Sequence, residues 1–86
     1  MDRITFLKAL SDPVRLSIIE FLRDGERCAC EIVPHTGKSQ PNVSLHLKRL
    51  EEAGILGSRR EGTKVLYRIK DPRTLQILML LDRKNI

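Results

Sequence analysis

The sequence predicts a mainly helical fold with one small β-hairpin. Three observations predict it. Asp12-Pro13 and Asp71-Pro72 each read as a capping residue followed by a proline at the first helical position. Ser39-Gln40-Pro41 repeats that logic before a run with helical apolar spacing. Val65, Tyr67 and Ile69 alternate with Leu66 and Arg68, the period of a strand.

The elements follow in order. From Asp2 to Leu10, the residues Ile4, Leu7 and Leu10 mark a short amphipathic helix. After Asp12-Pro13, Val14, Ile18, Phe21 and Leu22 form one apolar face, broadened by Leu16 and Ile19, and Asp24-Gly25 ends the helix. A third helix is expected from Cys28 to about Thr36, although Pro34 in its interior removes a hydrogen bond. Gly37-Lys38 is a turn. The fourth helix runs from Ser39 as N-cap to Ala53, with Gly54 as its stop. Ile55–Arg60 and Lys64–Ile69 are expected strands around Glu61-Gly62-Thr63. The last helix is apolar nearly all round, with Leu75, Ile77, Leu78, Met79, Leu80 and Leu81, and such a surface needs a cover. A helix-turn-helix followed by a basic hairpin is the winged-helix arrangement, with residues 1–86 as one domain.

Composition narrows the function. A chain of 86 residues has room for one small domain. It buries only about 60–65% of its unfolded surface, so association would help it. The formal charge is +5, from 16 Lys and Arg against 11 Asp and Glu, which points to a polyanionic partner. No apolar run approaches the roughly 20 residues that span a bilayer. Asp2, Arg3 and Lys8 interrupt the apolar residues at the N-terminus, so neither membrane nor secretion is expected and the location reads as cytoplasmic.

On the fourth helix Val43, Leu47 and Leu50 share one side and must face the core. The opposite side collects Pro41, Asn42, Leu45, Lys48 and Arg49, with Ser44 at its edge, and Ser39 and Gln40 at the helix start join the candidate DNA contacts. Gln and Asn can pair bidentately with adenine, Ser can serve any base, and an exposed Leu45 suits a thymine methyl. Lys48 and Arg49 are expected on phosphates. In the hairpin, Arg59, Arg60, Lys64 and Arg68 make a basic wing suited to backbone or a narrow minor groove, or else a charged edge that blocks aggregation. Together these expect double-stranded DNA as partner. His46 lies near the apolar side and reads as a half-buried packing histidine rather than a base contact.

Cys28 and Cys30 are the chain's two cysteines. In the cytosol such a pair is expected reduced, and metal-binding or redox-active rather than structural; two buried small hydrophobes is the bland alternative. Residues two apart on an intact helix point about 200° from each other. Ligation or oxidation is therefore expected to unwind the first turn of the third helix. His35, seven residues from Cys28, reads as a surface or capping residue before it reads as a ligand. Catalysis is not expected: Ser44 and His46 lie about 200° apart on their helix and cannot meet. A small thiol oxidoreductase or metal carrier would explain the cysteines but not the basic helix and wing.

Three stretches resemble the ArsR/SmtB family of metal-responsive repressors: Ala9-Leu10-Ser11-Asp12-Pro13-Val14-Arg15-Leu16, Ser39 to Leu47, and Leu50 to Leu56 running into Arg59-Arg60-Glu61-Gly62. The resemblance implies a homodimeric winged helix paired through its first and last helices. It also implies repression from a palindromic operator, needing no cofactor, with release when an inducer binds. Cys28 and Cys30 then take the place of two thiolate ligands of the arsenic-responsive branch, with As(III) or Sb(III) as inducer. Many such sites carry a third cysteine, which this chain lacks. The last helix offers only Asp71 and Asp82, without histidine, so a zinc site of the other branch is not expected. A thiol–disulfide switch on the same two cysteines is the alternative.

Overall fold

The computed structural model describes residues 2–83. Helices α1 (Arg3–Leu10) and α2 (Pro13–Phe21) lead into a two-residue strand β1 (Arg27–Cys28). Then come α3 (Ala29–Thr36), α4 (Gln40–Glu52), the hairpin β2 (Leu56–Glu61) and β3 (Lys64–Ile69), and α5 (Pro72–Asp82). The strands form one antiparallel sheet in the order β1-β3-β2.

Local chemistry sets the helix ends. Asp2, Asp12 and Asp71 cap α1, α2 and α5 by accepting the backbone N–H of Thr5, Arg15 and Arg73. Hydrogen bonding to the charged form holds the Asp2 and Asp12 carboxyls below the usual aspartate range through those N–H groups, and Asp71 through the Arg73 side chain first. At the end of α4, Gly54 takes φ 75°. Its N–H reaches the Glu51 carbonyl at 2.9 Å and the Ile55 N–H reaches Leu50 at 3.0 Å, the paired bonds of a Schellman motif. The two apolar residues of that motif, Leu50 and Ile55, are fully buried.

Ile18, Ile19, Ile32, Val43, Leu50 and Ile55 form the centre of the core, so α2, α3, α4 and the foot of β2 all converge there. This packing decides α3. Ile32 is fully buried and Val33 packs beside it, which holds the helix through Pro34 despite the missing donor. Cys30, whose carbonyl loses that donor, lies on the exposed side with Pro34.

The structure departs from the expected elements in several places: among them, α2 ends at Phe21 rather than at Asp24-Gly25, and Glu61 closes strand β2 rather than standing in the turn. Strand β1 was not foreseen, because two residues carry no periodicity. Strand β2 begins at Leu56 rather than Ile55, whose carbonyl instead accepts the Lys70 N–H at 2.8 Å. Helix α3 begins at Ala29, with Cys28 outside it as the N-cap in extended conformation.

Helices α1 and α5 lie against one another across a cleft of about 210 Å³ lined in part by Phe6, Leu7 and Ile77. The Arg73 guanidinium stands 4.9 Å over the Phe6 ring there. Of the large apolar side chains exposed among the described residues, only Leu45 lies elsewhere; Ile4, Leu7, Met79, Leu80 and Leu81 all belong to these two helices. The exposed apolar surface is thus gathered on these two helices rather than scattered. No helix among the described residues is long and apolar enough to cross a membrane.

Thr74 of α5 is fully buried, and its hydroxyl has no hydrogen-bond partner among the described residues. Burying an unpaired hydroxyl costs about 1–3 kcal/mol. Thr74→Val keeps the branched shape and removes the polar atom, so it should raise unfolding stability by about 1 kcal/mol in urea titrations. A loss of stability would mean that the hydroxyl is satisfied in solution.

Candidate nucleic-acid interface and thiol site

Helix α4 is divided as its sequence predicts. Val43, Leu47 and Leu50 are buried, while Gln40, Pro41, Asn42, Ser44, Leu45, Lys48 and Arg49 are exposed. Ser39 caps the helix, its Oγ accepting the Asn42 N–H at 3.3 Å. A polar, partly cationic face with a half-exposed Leu45 at its centre is thus presented outward on a rigid element. Arg49 also borders a shallow cleft with Thr5 and Lys8 of α1, which adds Lys8 to the cations on that side.

Two side chains anchor α4 from behind. His46 is mostly buried, 15% exposed, as expected for a packing residue, and its Nδ1 lies 3.1 Å from Arg15 Nη1. Arg15 Nε donates to the Ala9 carbonyl at 2.6 Å, and Nη2 to the Lys8 carbonyl at 3.3 Å. One guanidinium therefore joins the C-terminal end of α1 to the inner face of α4. Asp12 completes the group: its Oδ2 accepts the Arg15 N–H at 3.0 Å and lies 3.9 Å from His46 Nδ1. The place of His46 follows from the α4 wheel, whereas the role of Arg15 does not, because His46 lies 31 residues from it in the chain.

The hairpin turns at Gly62, φ 62°, as a two-residue loop between the paired Glu61 and Lys64. Its cations are not equivalent. Arg59 is held by Glu26, with Nε–Oε2 2.9 Å and Nη2–Oε1 2.8 Å, and by Glu61 at 3.0 Å. The hydrogen bonds from Arg59 draw the Glu26 carboxyl below its ordinary range, and Glu26 in turn raises Arg59. Arg59 therefore ties the segment before Cys28 to the hairpin, with its charge largely shared. Arg60, Lys64 and Arg68 have no ion-pair partner among the described residues.

Cys28 and Cys30 meet at the junction of β1 and α3. Their Cα atoms are 5.0 Å apart and their sulfurs are joined as a disulfide. The sulfur of Cys28 also accepts the Cys30 N–H at 3.0 Å, while Glu31 Oε1 accepts the Cys28 N–H at 3.2 Å. This is a capping box with sulfur in place of the usual hydroxyl. The expectation that α3 begins at Cys28, with both cysteines inside one intact helix, is thereby corrected. Cys28 stands outside the helix in an extended conformation, so the two sulfurs converge while α3 stays helical from Ala29. Cys28 is buried and Cys30 exposed. The β ladder pairs Cys28 with Leu66 of β3, so the thiol site is built into the sheet that carries the hairpin.

The other groups near the pair are committed elsewhere. Glu26 is on Arg59, and Glu31 caps Cys28 and reaches Arg27 at 3.5 Å. His35 stacks on Phe21 with ring centroids 3.9 Å apart, and the Arg27 guanidinium stands 4.5 Å from the same ring. His35 is thus a surface stacking residue. Among the described residues no group of three or more His, Cys, Asp or Glu side chains is placed to hold a metal ion. Cys30 instead opens onto a groove of about 530 Å³ between α3, α4 and β3.

The helix-turn-helix of α3 and α4, backed by α2 and followed by the β2–β3 hairpin, defines a winged helix-turn-helix protein of the transcription-regulator class. Residues 12–58 match the family described as bacterial regulatory protein, arsR family. The chain is 45% identical over 75 residues to a probable mercury resistance operon repressor of Streptomyces lividans, covering 87% of this chain and 60% of that protein. It is 43% identical over 65 residues to the arsenical resistance operon repressor of Staphylococcus xylosus, covering 76% and 62%. Among solved structures, the homodimeric winged helix-turn-helix DNA-binding domain from Mycobacterium bovis superposes with a TM-score of 0.83 at 33% identity, covering 91% of this chain and 72% of that one. The chain belongs to the arsR family, a family of regulators rather than enzymes. It spans about three fifths of the length of the two repressors.

Proposed function

We propose that this chain is a cytoplasmic DNA-binding repressor. It pairs with a second copy through α1 and α5 and releases a palindromic operator when a thiophilic ion binds Cys28 and Cys30. Arsenite or antimonite is the first choice of ion. The observation that carries this reading is the position of the sulfur pair, at the N-cap of α3 and on the ladder of the β3 wing strand. Relatives named for mercury and arsenical resistance operons support the choice of ligand class.

In the bound state Ser39, Gln40, Pro41, Asn42, Ser44 and Leu45 face base edges in the major groove. Gln40 and Asn42 supply bidentate donor–acceptor pairs, and Leu45 supplies an apolar contact for thymine. Lys48, Arg49, Arg60 and Lys64 meet phosphates, and Arg59 does so with the charge that Glu26 leaves it. Ligation draws the Cys28 sulfur away from the Cys30 N–H. Losing a cap costs a helix about 0.5–2 kcal/mol, which falls within the usual 1–3 kcal/mol of coupling between two sites. The same sulfur moves the Cys28–Leu66 ladder, so α3 and the wing shift together.

The test is binding of the reduced chain to DNA from its own promoter. Affinity should fall steeply with salt, because phosphate contacts release counterions, and arsenite should release the DNA. Failure to bind that promoter at moderate salt, in every thiol state, overturns the repressor reading. A redox-responsive repressor is the second reading, favoured by the bonded sulfurs themselves. It requires release by diamide and none by arsenite.

A further inference from the structure

We propose that Cys28 and Cys30 bind the trivalent metalloid together with one low-molecular-weight thiol taken from solution, seated in the groove between α3, α4 and β3. The inference rests on the arsenite reading above. Trivalent arsenic is satisfied by three soft sulfur ligands. The chain contains two cysteines in all. The groups that would otherwise complete the set are engaged: Glu26 by Arg59, Glu31 by the Cys28 N–H, and His35 by the Phe21 ring. No further thiol stands among these 86 residues, which assigns the third position to a thiol from solution.

The groove gives it a place. Cys28 is buried, whereas Cys30 opens into a space of about 530 Å³. That lies within the range of about 300–1,000 Å³ typical of small-molecule sites. Val33, Leu47 and Val65 supply apolar walls, and Gln40, Ser44 and Tyr67 bring polar side chains. A small thiol with an amino-acid or short peptide body finds both kinds of contact there. The chemistry balances without redox change at arsenic. Arsenous acid exchanges three hydroxyls for three thiolates, each S–H proton leaves with a hydroxyl as water, and arsenic stays trivalent. If the pair begins as the disulfide, two further thiols reduce it and leave as their own disulfide. The occupant then lies against Gln40 and Ser44, on α4 itself, so its bulk and not the arsenic atom alone meets the proposed reading helix.

The full chain, reduced with a phosphine, is loaded with arsenite in the presence of excess cysteine or the tripeptide γ-Glu-Cys-Gly. Native mass spectrometry counts the thiol retained, and arsenic X-ray absorption counts the sulfurs. The expected result is one thiol and three As–S bonds per arsenic in each chain. Pro34 is exposed on the groove wall, and Pro34→Phe narrows the groove while removing a helix-interior proline. That variant should keep arsenic on both cysteines and lose the thiol. Two sulfurs and an oxygen around arsenic, or one arsenic shared by cysteines of two chains, overturns the proposal. Equal thiol retention in Pro34→Phe overturns the placement in the groove. Should that variant fold poorly, the thiol count and sulfur number of the unaltered chain decide. Arsenic bound without thiol, with DNA still released, sinks this proposal alone; no arsenic binding sinks the arsenite reading with it.

Discussion

Cys28→Ser should leave the chain folded and bound to its operator while abolishing release by arsenite. Serine is a preferred N-cap, so its hydroxyl can accept the Cys30 N–H that the Cys28 sulfur accepts now. The substitution removes the soft ligand and spares the cap. A coupling of about 1–3 kcal/mol corresponds to a change of roughly 5–150-fold in operator affinity on adding inducer. Fluorescence anisotropy with labelled promoter DNA should show that change in the unaltered chain and none in the variant, with inducer-free affinities within about twofold. Cys30→Ser should behave alike, since it too leaves one thiol. Release of either variant at the arsenite concentration that releases the unaltered protein would remove the cysteine pair from the mechanism.

Arg15→Met should destabilise the fold and weaken DNA binding together. The guanidinium holds the Ala9 and Lys8 carbonyls on one side and His46 on the other. Methionine keeps much of the stem and makes none of these bonds. Charged hydrogen bonds contribute about 1.5–3 kcal/mol each, and the carbonyls are partly solvated at the end of α1, so a net loss of about 2–3 kcal/mol is expected in urea unfolding. Arg15→Lys should recover little of it, because a single ammonium cannot reproduce the fork. If Arg15→Met unfolds within 0.5 kcal/mol of the unaltered chain, the size of an ordinary surface substitution, the link between α1 and α4 is incidental. Operator affinity measured well below the unfolding transition separates misplacement of α4 from loss of folded protein.

These two predictions differ in how much of their basis was visible in the residue order. The cysteine pair was plain. Its geometry was not, because whether Cys28 lies inside or before α3 depends on β1, and β1 exists only as a partner of β3. That pairing brings Cys28 to Leu66, 38 residues away in the chain, and two residues have no period from which to foresee it. The local signals succeeded where each was self-contained. Asp12-Pro13, Ser39, Gly54 and Asp71-Pro72 set helix ends through hydrogen bonds spanning a few residues. The wheel of α4 separated Val43, Leu47 and Leu50 from Asn42, Leu45 and Arg49 because burial on one helix face is periodic.

The wing shows the same division. Its strands and glycine turn follow from alternation and turn chemistry, but Arg59 looked equivalent to Arg60 and Lys64. The fold distinguishes them by bringing Glu26, 33 residues away, within 2.8 Å of Arg59. His35 reads from its position as a surface or capping residue before a ligand, and the fold stacks it on the Phe21 ring. By itself, then, the sequence determined the order of the helices and the hairpin, the face of α4 turned outward, the excess of positive charge and the presence of a close cysteine pair. Each of these depends on residue type and spacing within one helix or hairpin. The tertiary structure alone decided that the sulfurs meet with Cys28 outside α3, that Arg59 is tied down, and that Arg15 joins α1 to α4. Those outcomes depend on which distant side chains the core brings within hydrogen-bonding distance, and no local period encodes that.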